Sequence, residues 1–431
     1  MKKIFFTTLL IVILKVGFAQ DFNTKKIDDY FNTLEKNNEF MGSIAVSQNG
    51  EIVYSKVVGF LDVENKVKAD YKTKYRIGSI TKTFTSVMVL KGVELGKIDL
   101  TQTIDKYFPA IKNSEKISIK HLLNHQSGIH NFTDDIYPFG WELHPKSNKE
   151  MLETISKAGN DFEPASRTGY SNSNYILLTF ILQESFKKTY KELLEELIVQ
   201  PIGLENTYFG GKINTKNNES KSYKFANKWQ VNTETDISIP LGAGGITSTS
   251  SDLVKFSDAL FAGKLITPES LKAMKTFRDK LGLGLFKTPF YEIEGFGHAG
   301  DIDGFSAIFS CFPNENISYA WISNGKRIKR KNISNAVLGT ILYNKSYNIS
   351  TDVLDKYIGN YSSTETPLRI TITRKNEILI AQATGQSPFP LKAMEKDVFK
   401  FEQGGIVIQF DQSEKSLIIK QGGKQYTFKK D

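Results

Sequence analysis

The chain has 431 residues, of which 40% are hydrophobic and only 12 are prolines, so it can bury a large core and fill two domains; a disordered or fibrous chain is excluded. Its formal charge of +9 comes from lysines spread along the chain, without the basic-aromatic runs of a nucleic-acid groove, so no nucleic-acid partner is expected. A solvated, mildly basic face would suit an anionic cell envelope.

The first nineteen residues read as a signal peptide. Lys2 and Lys3 precede an apolar run from Ile4 to Leu14, and Gly17 and Ala19 supply the small residues of a cleavage site. The run is shorter than the ~20 residues of a membrane span and Lys15 interrupts it, so cleavage is expected to leave no stable membrane span. A periplasmic or secreted protein follows from that reading. Ile27, Tyr30, Phe31 and Leu34 then recur at helical spacing, and "GSIAVSQNGEIVYSKVVG" alternates on both sides of Asn49-Gly50, which predicts a helix followed by a tight hairpin. A helix is expected to begin at Ser79, with Phe84, Val87, Met88 and Val93 spaced to pack and Gly96 near its end.

Between residues 100 and 290, helical segments such as "NYILLTFILQES" and "SSDLVKFSDALFAG" alternate with loops rich in Asn, Gly and Ser. Residues 305–323 read as two strands and "KNISNAVLGTILYN" as a helix. The lone cysteine, Cys311, lies among apolar neighbours in "FSCFPN" and reads as core. Composition shifts near Thr351, after which "LRITITR", "EILIAQA", "VFKFEQ", "IVIQF", "SLIIKQ" and "QYTFKK" form short β-rich runs. The domain reading is therefore a signal peptide over 1–19, a main domain over 20–350 and a small all-β, barrel-like domain over 351–431.

Within "YRIGSITKTF", Ser79 and Lys82 are one helical turn apart and face the same side. A serine hydroxyl needs a neighbour to take its proton, and a lysine that has lost its own can do so. A helix N-terminus also aims free N–H groups at a developing oxyanion. The spacing alone is unspecific, because Ser185-Lys188 and Ser323-Lys326 share it. Two other elements give Ser79 its company. Tyr170-Ser171-Asn172 sits in a loop before a strongly apolar helix, where a tyrosine near a lysine ammonium can be pushed toward phenolate and an asparagine amide can hold a substrate amide. Tyr30-Phe31-Asn32 repeats the pattern, but its tyrosine belongs to an apolar helix face. "GFGHAGDIDGF" brings His298-Ala299-Gly300 into a strand whose glycines permit close approach of a ligand to backbone.

In that order, Ser79-x-x-Lys82, Tyr170-x-Asn172 and His298-Ala299-Gly300 resemble the three active-site elements of the serine β-lactamase and penicillin-binding-protein superfamily, and within it the class C β-lactamase-related hydrolases. Long segments are similar too, among them "ISIKHLLNHQSGIHNF" and "GAGGITSTSSDLVKFSDALFAG", over residues 25–345. The resemblance implies an α/β (α+β) fold: an antiparallel sheet flanked by helices, with an all-helical lobe. It also implies that Ser79 forms an acyl-enzyme, that Lys82 and Tyr170 share general-base and general-acid work, that Asn172, His298 and Gly300 hold substrate, and that the backbone N–H groups of Ser79 and Asp301 form the oxyanion hole.

No cofactor or metal is expected. His121, His125 and His130 form no His-Glu-x-x-His pattern, and no Gly-x-Ser-x-Gly elbow occurs. Where many relatives carry Lys-Thr-Gly, this chain has His298-Ala299-Gly300; a histidine of ordinary pKa near ~6.5 and an alanine without a hydroxyl should capture a substrate carboxylate weakly. The expected substrate is a small molecule or peptide, with peptidoglycan fragments as one source. Ester or D-amino-acid amide hydrolysis ranks beside D-Ala-D-Ala carboxypeptidase action, and β-lactam hydrolysis below both. The competing reading, of another class, is a binding or sensor protein on the same scaffold that acylates slowly or not at all. The sequence leaves the oligomeric state open.

Overall fold

The computed structural model describes residues 23–135, 137–342, 349–376, 378–401 and 404–431; the expected signal peptide over 1–19 lies outside them. Two units can be told apart within the described chain, Thr24–Ile333 and Ser334–Asp431. Among the described residues no helix is long and apolar enough to cross a membrane.

In the first unit, alternating residues around Asn49-Gly50 build the hairpin of β1 (Phe40–Gln48) and β2 (Glu51–Val58). Both turn residues have positive φ, 54° and 83°, the geometry whose twist matches paired strands. The other strands of this sheet come from far downstream: β3 (Phe286–Lys287), β4 (Phe296–Ile302), β5 (Phe305–Phe312) and β6 (Ile317–Lys326). The order is β3-β4-β5-β6-β1-β2, with Ile44 opposite Trp321 where the first and last segments meet. The mixed helix-and-sheet expectation is met.

Helix α1 (Thr24–Lys36) precedes β1 and buries Ile27, Phe31 and Leu34, the predicted stripe. Three further helices matter for the site. α2 (Thr81–Glu94) and α3 (Asn172–Phe186) are buried on nearly every side, and α4 (Ser250–Phe261) stacks Phe256 on Phe84 of α2, 3.7 Å between ring centroids. Burying an aromatic side chain of that size contributes about 1.5–3 kcal/mol. Being surrounded, α2 must also satisfy its hydroxyls inside the protein. Thr83 Oγ1 donates to Gly284 O at 2.8 Å, and Thr85 Oγ1 to Gly242 O at 2.7 Å. These bonds fix the rotation of the helix that Ser79 precedes.

A final helix, α5 (Arg330–Ile341), runs across the division between the units. In the second unit, eight antiparallel strands between Gly359 and Lys430 close into a barrel, Tyr361 pairing with Lys430 to shut it. Alternate residues such as Ile372, Leu379, Phe399, Ile408, Leu417 and Phe428 fill its interior. Six of its strands follow the β-rich runs of the sequence. The other two, Gly359–Ser362 and Phe389–Glu395, are respectively very short and interrupted by Pro390, which weakens the alternation signal.

Candidate active site

Ser79 sits in a short 3-10 turn, Gly78–Ile80, that leads directly into α2. Gly78 has φ +52°, and a Cβ there would lie 2.8 Å from Asp301 O and 2.9 Å from Asp301 N. On the strand side, a Cβ on Gly300 would meet Ile77 O at 2.0 Å and Ser79 N at 2.8 Å. Two glycines thus let β4 run backbone to backbone against the serine turn, and the main chains of Ser79 and Asp301 come together there.

The Ser79 hydroxyl is held from two sides. Lys82 Nζ lies 3.0 Å from Ser79 Oγ, and Tyr170 OH donates to the same oxygen at 2.9 Å. Lys82 also donates to Asn172 Oδ1 and to Ala243 O, each at 2.7 Å. It is fully buried, 0% exposed, and no carboxylate pairs with it among the described residues. Desolvation therefore drives its pKa well below the usual lysine value. A neutral amine has two protons and one lone pair. The two obligate acceptors, Asn172 Oδ1 and Ala243 O, take the protons, and the lone pair is left facing the Ser79 O–H.

Tyr170 moves the other way. Burial of its hydroxyl end pushes the phenol up to about 12, although 37% of the residue is open to solvent. This corrects the expectation of a shift toward phenolate: beside a lysine that has lost its charge nothing favours the anion, and Tyr170 stays a proton donor. Asn172 is brought to the site, but its amide is committed, Oδ1 to Lys82 and Nδ2 to Thr133 Oγ1 at 2.9 Å. Its position orients the lysine.

His298 is 2% exposed, and its Nδ1–H donates to Ala299 O at 2.6 Å, which leaves Nε2 as the bare acceptor. Burial, with Lys82 nearby, lowers its pKa to about 3, so the ring is neutral throughout the working pH range. Phe286 of β3 packs edge-on against it, 4.7 Å between centroids. The side chain of Asp301 turns outward and pairs with Arg330 at 2.5 Å.

His125 joins the site although sequence reasoning gave it no role. The Ser171 N–H donates to its Nδ1 at 3.1 Å, and its ring lies tilted by 30° against Tyr170 with centroids 4.5 Å apart. It is 1% exposed, and burial holds it neutral. The Nδ1 contact fixes the tautomer with the proton on Nε2. His121 instead closes a capping box with Ser118, and His130 bonds Asp161 and Asp135, so the three histidines of that segment go three different ways. No group of three or more His, Cys, Asp and Glu side chains suited to a metal ion occurs among the described residues. The serines of the other Ser-x-x-Lys pairs lie in the last turn of α3 and inside β6, so neither opens a helix.

Behind the serine turn, Arg76 is 2% exposed and bonds Asp303 Oδ2 at 2.8 Å and Glu234 Oε1 at 2.6 Å. It ties the strand entering the turn to the tip of the β4–β5 hairpin. Breaking such a buried pair from one side costs about 3–5 kcal/mol.

The Beta-lactamase family model matches residues 31–339. The chain is 22% identical to penicillin-binding protein 4* of Bacillus subtilis (strain 168), over 93% of this chain and 97% of that protein. It is 26% identical to the teichoic acid D-alanine hydrolase of Staphylococcus aureus, over 77% and 81%. The D-amino acid amidase of Ochrobactrum anthropi SV3, solved with D-phenylalanine, superposes with a TM-score of 0.66 at 24% identity, covering 74% of this chain and 98% of that one.

Proposed function

The chain belongs to the beta-lactamase family and is a serine hydrolase, and from that premise we propose that it is an exported enzyme that forms an acyl-enzyme at Ser79 on an ester or a D-amino-acid amide or peptide. The observation that carries this reading is the Ser79 hydroxyl held between Tyr170 OH and the unpaired, buried Lys82 amine. Lys82 takes the serine proton as Oγ adds to the substrate carbonyl carbon. The oxygen that becomes negative is met by the N–H groups of Ser79 and Asp301. As the scissile C–O or C–N bond breaks, Tyr170 gives its proton to the leaving group and is restored by the proton Lys82 gained. Water then adds to the acyl carbon with the same groups acting in reverse, and Ser79 recovers its proton.

Neutral, buried His298 supplies no cation where many relatives have a lysine, which supports substrates lacking a carboxylate at that position. The names of two relatives, a teichoic acid D-alanine hydrolase and a D-amino acid amidase, favour a D-aminoacyl group as the acyl part. We assign hydrolysis to residues 20–350 after loss of 1–19, with the β unit over 351–431 carrying no reacting group.

A fluorophosphonate probe on the purified protein tests the assignment: wild type should label and Ser79→Ala should not. Equal labelling of both, or of neither, removes Ser79 from the chemistry and leaves a binding protein. A panel of p-nitrophenyl esters, D-alanyl anilides, D-Ala-D-Ala peptides and nitrocefin then ranks the substrates, with the first two expected to lead.

A further inference from the structure

A cleft of about 670 Å³ opens at the tip of the β4–β5 hairpin, bounded by residues 301–306, by the hairpin of Tyr223–Ala226 and Lys228–Val231, and by the end of β6. Lys224, Lys326 and Arg327 line it, and none of the three has a carboxylate partner among the described residues. The two acids in its wall are already engaged, Asp301 by Arg330 and Asp303 by Arg76. The cleft is therefore positive. Residues 326–331, "KRIKRK", hold five cations in six positions, and the first two of them line the cleft. The even spread of lysines expected from the sequence does not hold there.

Phe225 in the cleft wall is already engaged. The Arg327 guanidinium lies 4.2 Å from the Phe225 ring centroid, Phe225 meets Trp229 edge-on at 5.1 Å, and a Cβ on Gly325 would fall 2.9 Å from the Trp229 ring. Arg327 takes one face of Phe225, and Tyr223 and Phe305 are buried at 2% and 1%, which leaves little ring surface to stack a nucleobase and disfavours single-stranded nucleic acid. A guanidinium over a ring still has N–H groups for an oxyanion, and several cations along an open cleft suit a repeated anion better than a single one. Asp301 links the cleft to the catalytic centre, since its side chain is in the wall and its backbone lies against Gly78.

We propose that this cleft is a subsite for the phosphate groups of an anionic polymer that carries the acyl group hydrolysed at Ser79. The proposal rests on the reading of Ser79 as nucleophile. Its test compares D-alanyl esters of neutral glycerol and of a glycerol-phosphate oligomer. Wild type should show about a 10-fold higher kcat/KM on the phosphate ester at low salt, the preference shrinking as salt screens it. The triple variant Lys224→Gln, Lys326→Gln, Arg327→Gln should lose the preference yet keep its rate on the neutral ester.

Equal rates of wild type on both esters, or a preference that survives in the triple variant, overturns the subsite. So does stronger competition by an oligonucleotide than by the free phosphate oligomer, or binding confined to phosphatidylglycerol vesicles. If neither ester is cleaved and no fluorophosphonate label appears, the hydrolase reading fails instead. Fluorescence anisotropy of a labelled glycerol-phosphate oligomer, with wild type and triple variant, then still decides whether the cleft binds phosphate.

Discussion

Lys82 Nζ stands 3.0 Å from Ser79 Oγ while its other two contacts, Asn172 Oδ1 and Ala243 O, are to atoms that only accept. The arrangement selects a neutral amine with its lone pair on the serine. Lys82→Arg, which keeps a donor but never deprotonates, should lower kcat/KM by about 10²–10⁴-fold. In wild type the rate should rise with pH as Lys82 loses its proton, at a midpoint far below the ordinary lysine value, because burial depresses it. Steady-state kinetics across pH checks both points. An arginine variant with the wild-type profile would remove Lys82 as the base.

Tyr170 reaches the same oxygen from the other side, with a phenol pushed up to about 12. A neutral phenol serves best by protonating a poor leaving group. Tyr170→Phe should therefore cost an amide substrate about 10²–10⁴-fold in kcat, and cost a p-nitrophenyl ester much less, since p-nitrophenolate leaves without a proton. Equal losses on the two substrates would point to a positioning effect of the ring.

Gly300 permits the contact between strand and serine turn. In Gly300→Ala the new Cβ would sit 2.0 Å from Ile77 O, so β4 must move away and carry the Asp301 N–H with it. Losing one oxyanion donor costs about 10²–10³-fold in kcat. The change is confined to the serine turn and β4, so circular dichroism should stay near wild type while turnover falls. Unchanged kcat in a folded Gly300→Ala protein would mean that Asp301 N–H does not serve the oxyanion.

Ser79, Lys82, Tyr170 and the His298 strand could be named from the sequence because three short patterns occur in one order, whereas the Ser-x-x-Lys spacing alone occurs three times. His125 could not. Its part depends on Tyr170 and on the N–H of Ser171, which are remote in sequence, and its own φ of 58° has no local signature outside glycine. Asn172 lies beside Lys82, but its amide was read as free because nothing in the sequence tells that Thr133 holds its nitrogen. Helix α2 shows Phe84, Val87 and Met88 at the expected packing positions, but the burial of Thr81, Thr83, Thr85 and Ser86 beside them has no sequence signal, because it comes from elements packed on the helix's other faces.

Two histidines of the site are buried in the neutral form, which ties stability to pH. His298 has its pKa lowered to about 3 by burial, and His125 is shifted the same way. Below the ordinary histidine value the unfolded chain takes up protons that the folded one refuses. Their contribution is thus present above about pH 6.5 and lost as pH falls toward the folded value, by up to about 1.4 kcal/mol per pH unit for each ring. His130, raised by Asp161, opposes this trend, and the carboxylates with lowered pKa, such as Asp62 at about 2, act at lower pH. Urea unfolding between about pH 6.5 and pH 4.5 reads the histidines together with buried Lys82 and the raised carboxyls of Asp252 and Asp258, so one ring is isolated by comparison with a variant. His298→Phe keeps a ring against Phe286 but cannot titrate, so its unfolding free energy should depend on pH less steeply than wild type, by one ring's share. A variant slope equal to that of wild type would show that His298 already takes its proton in the folded state.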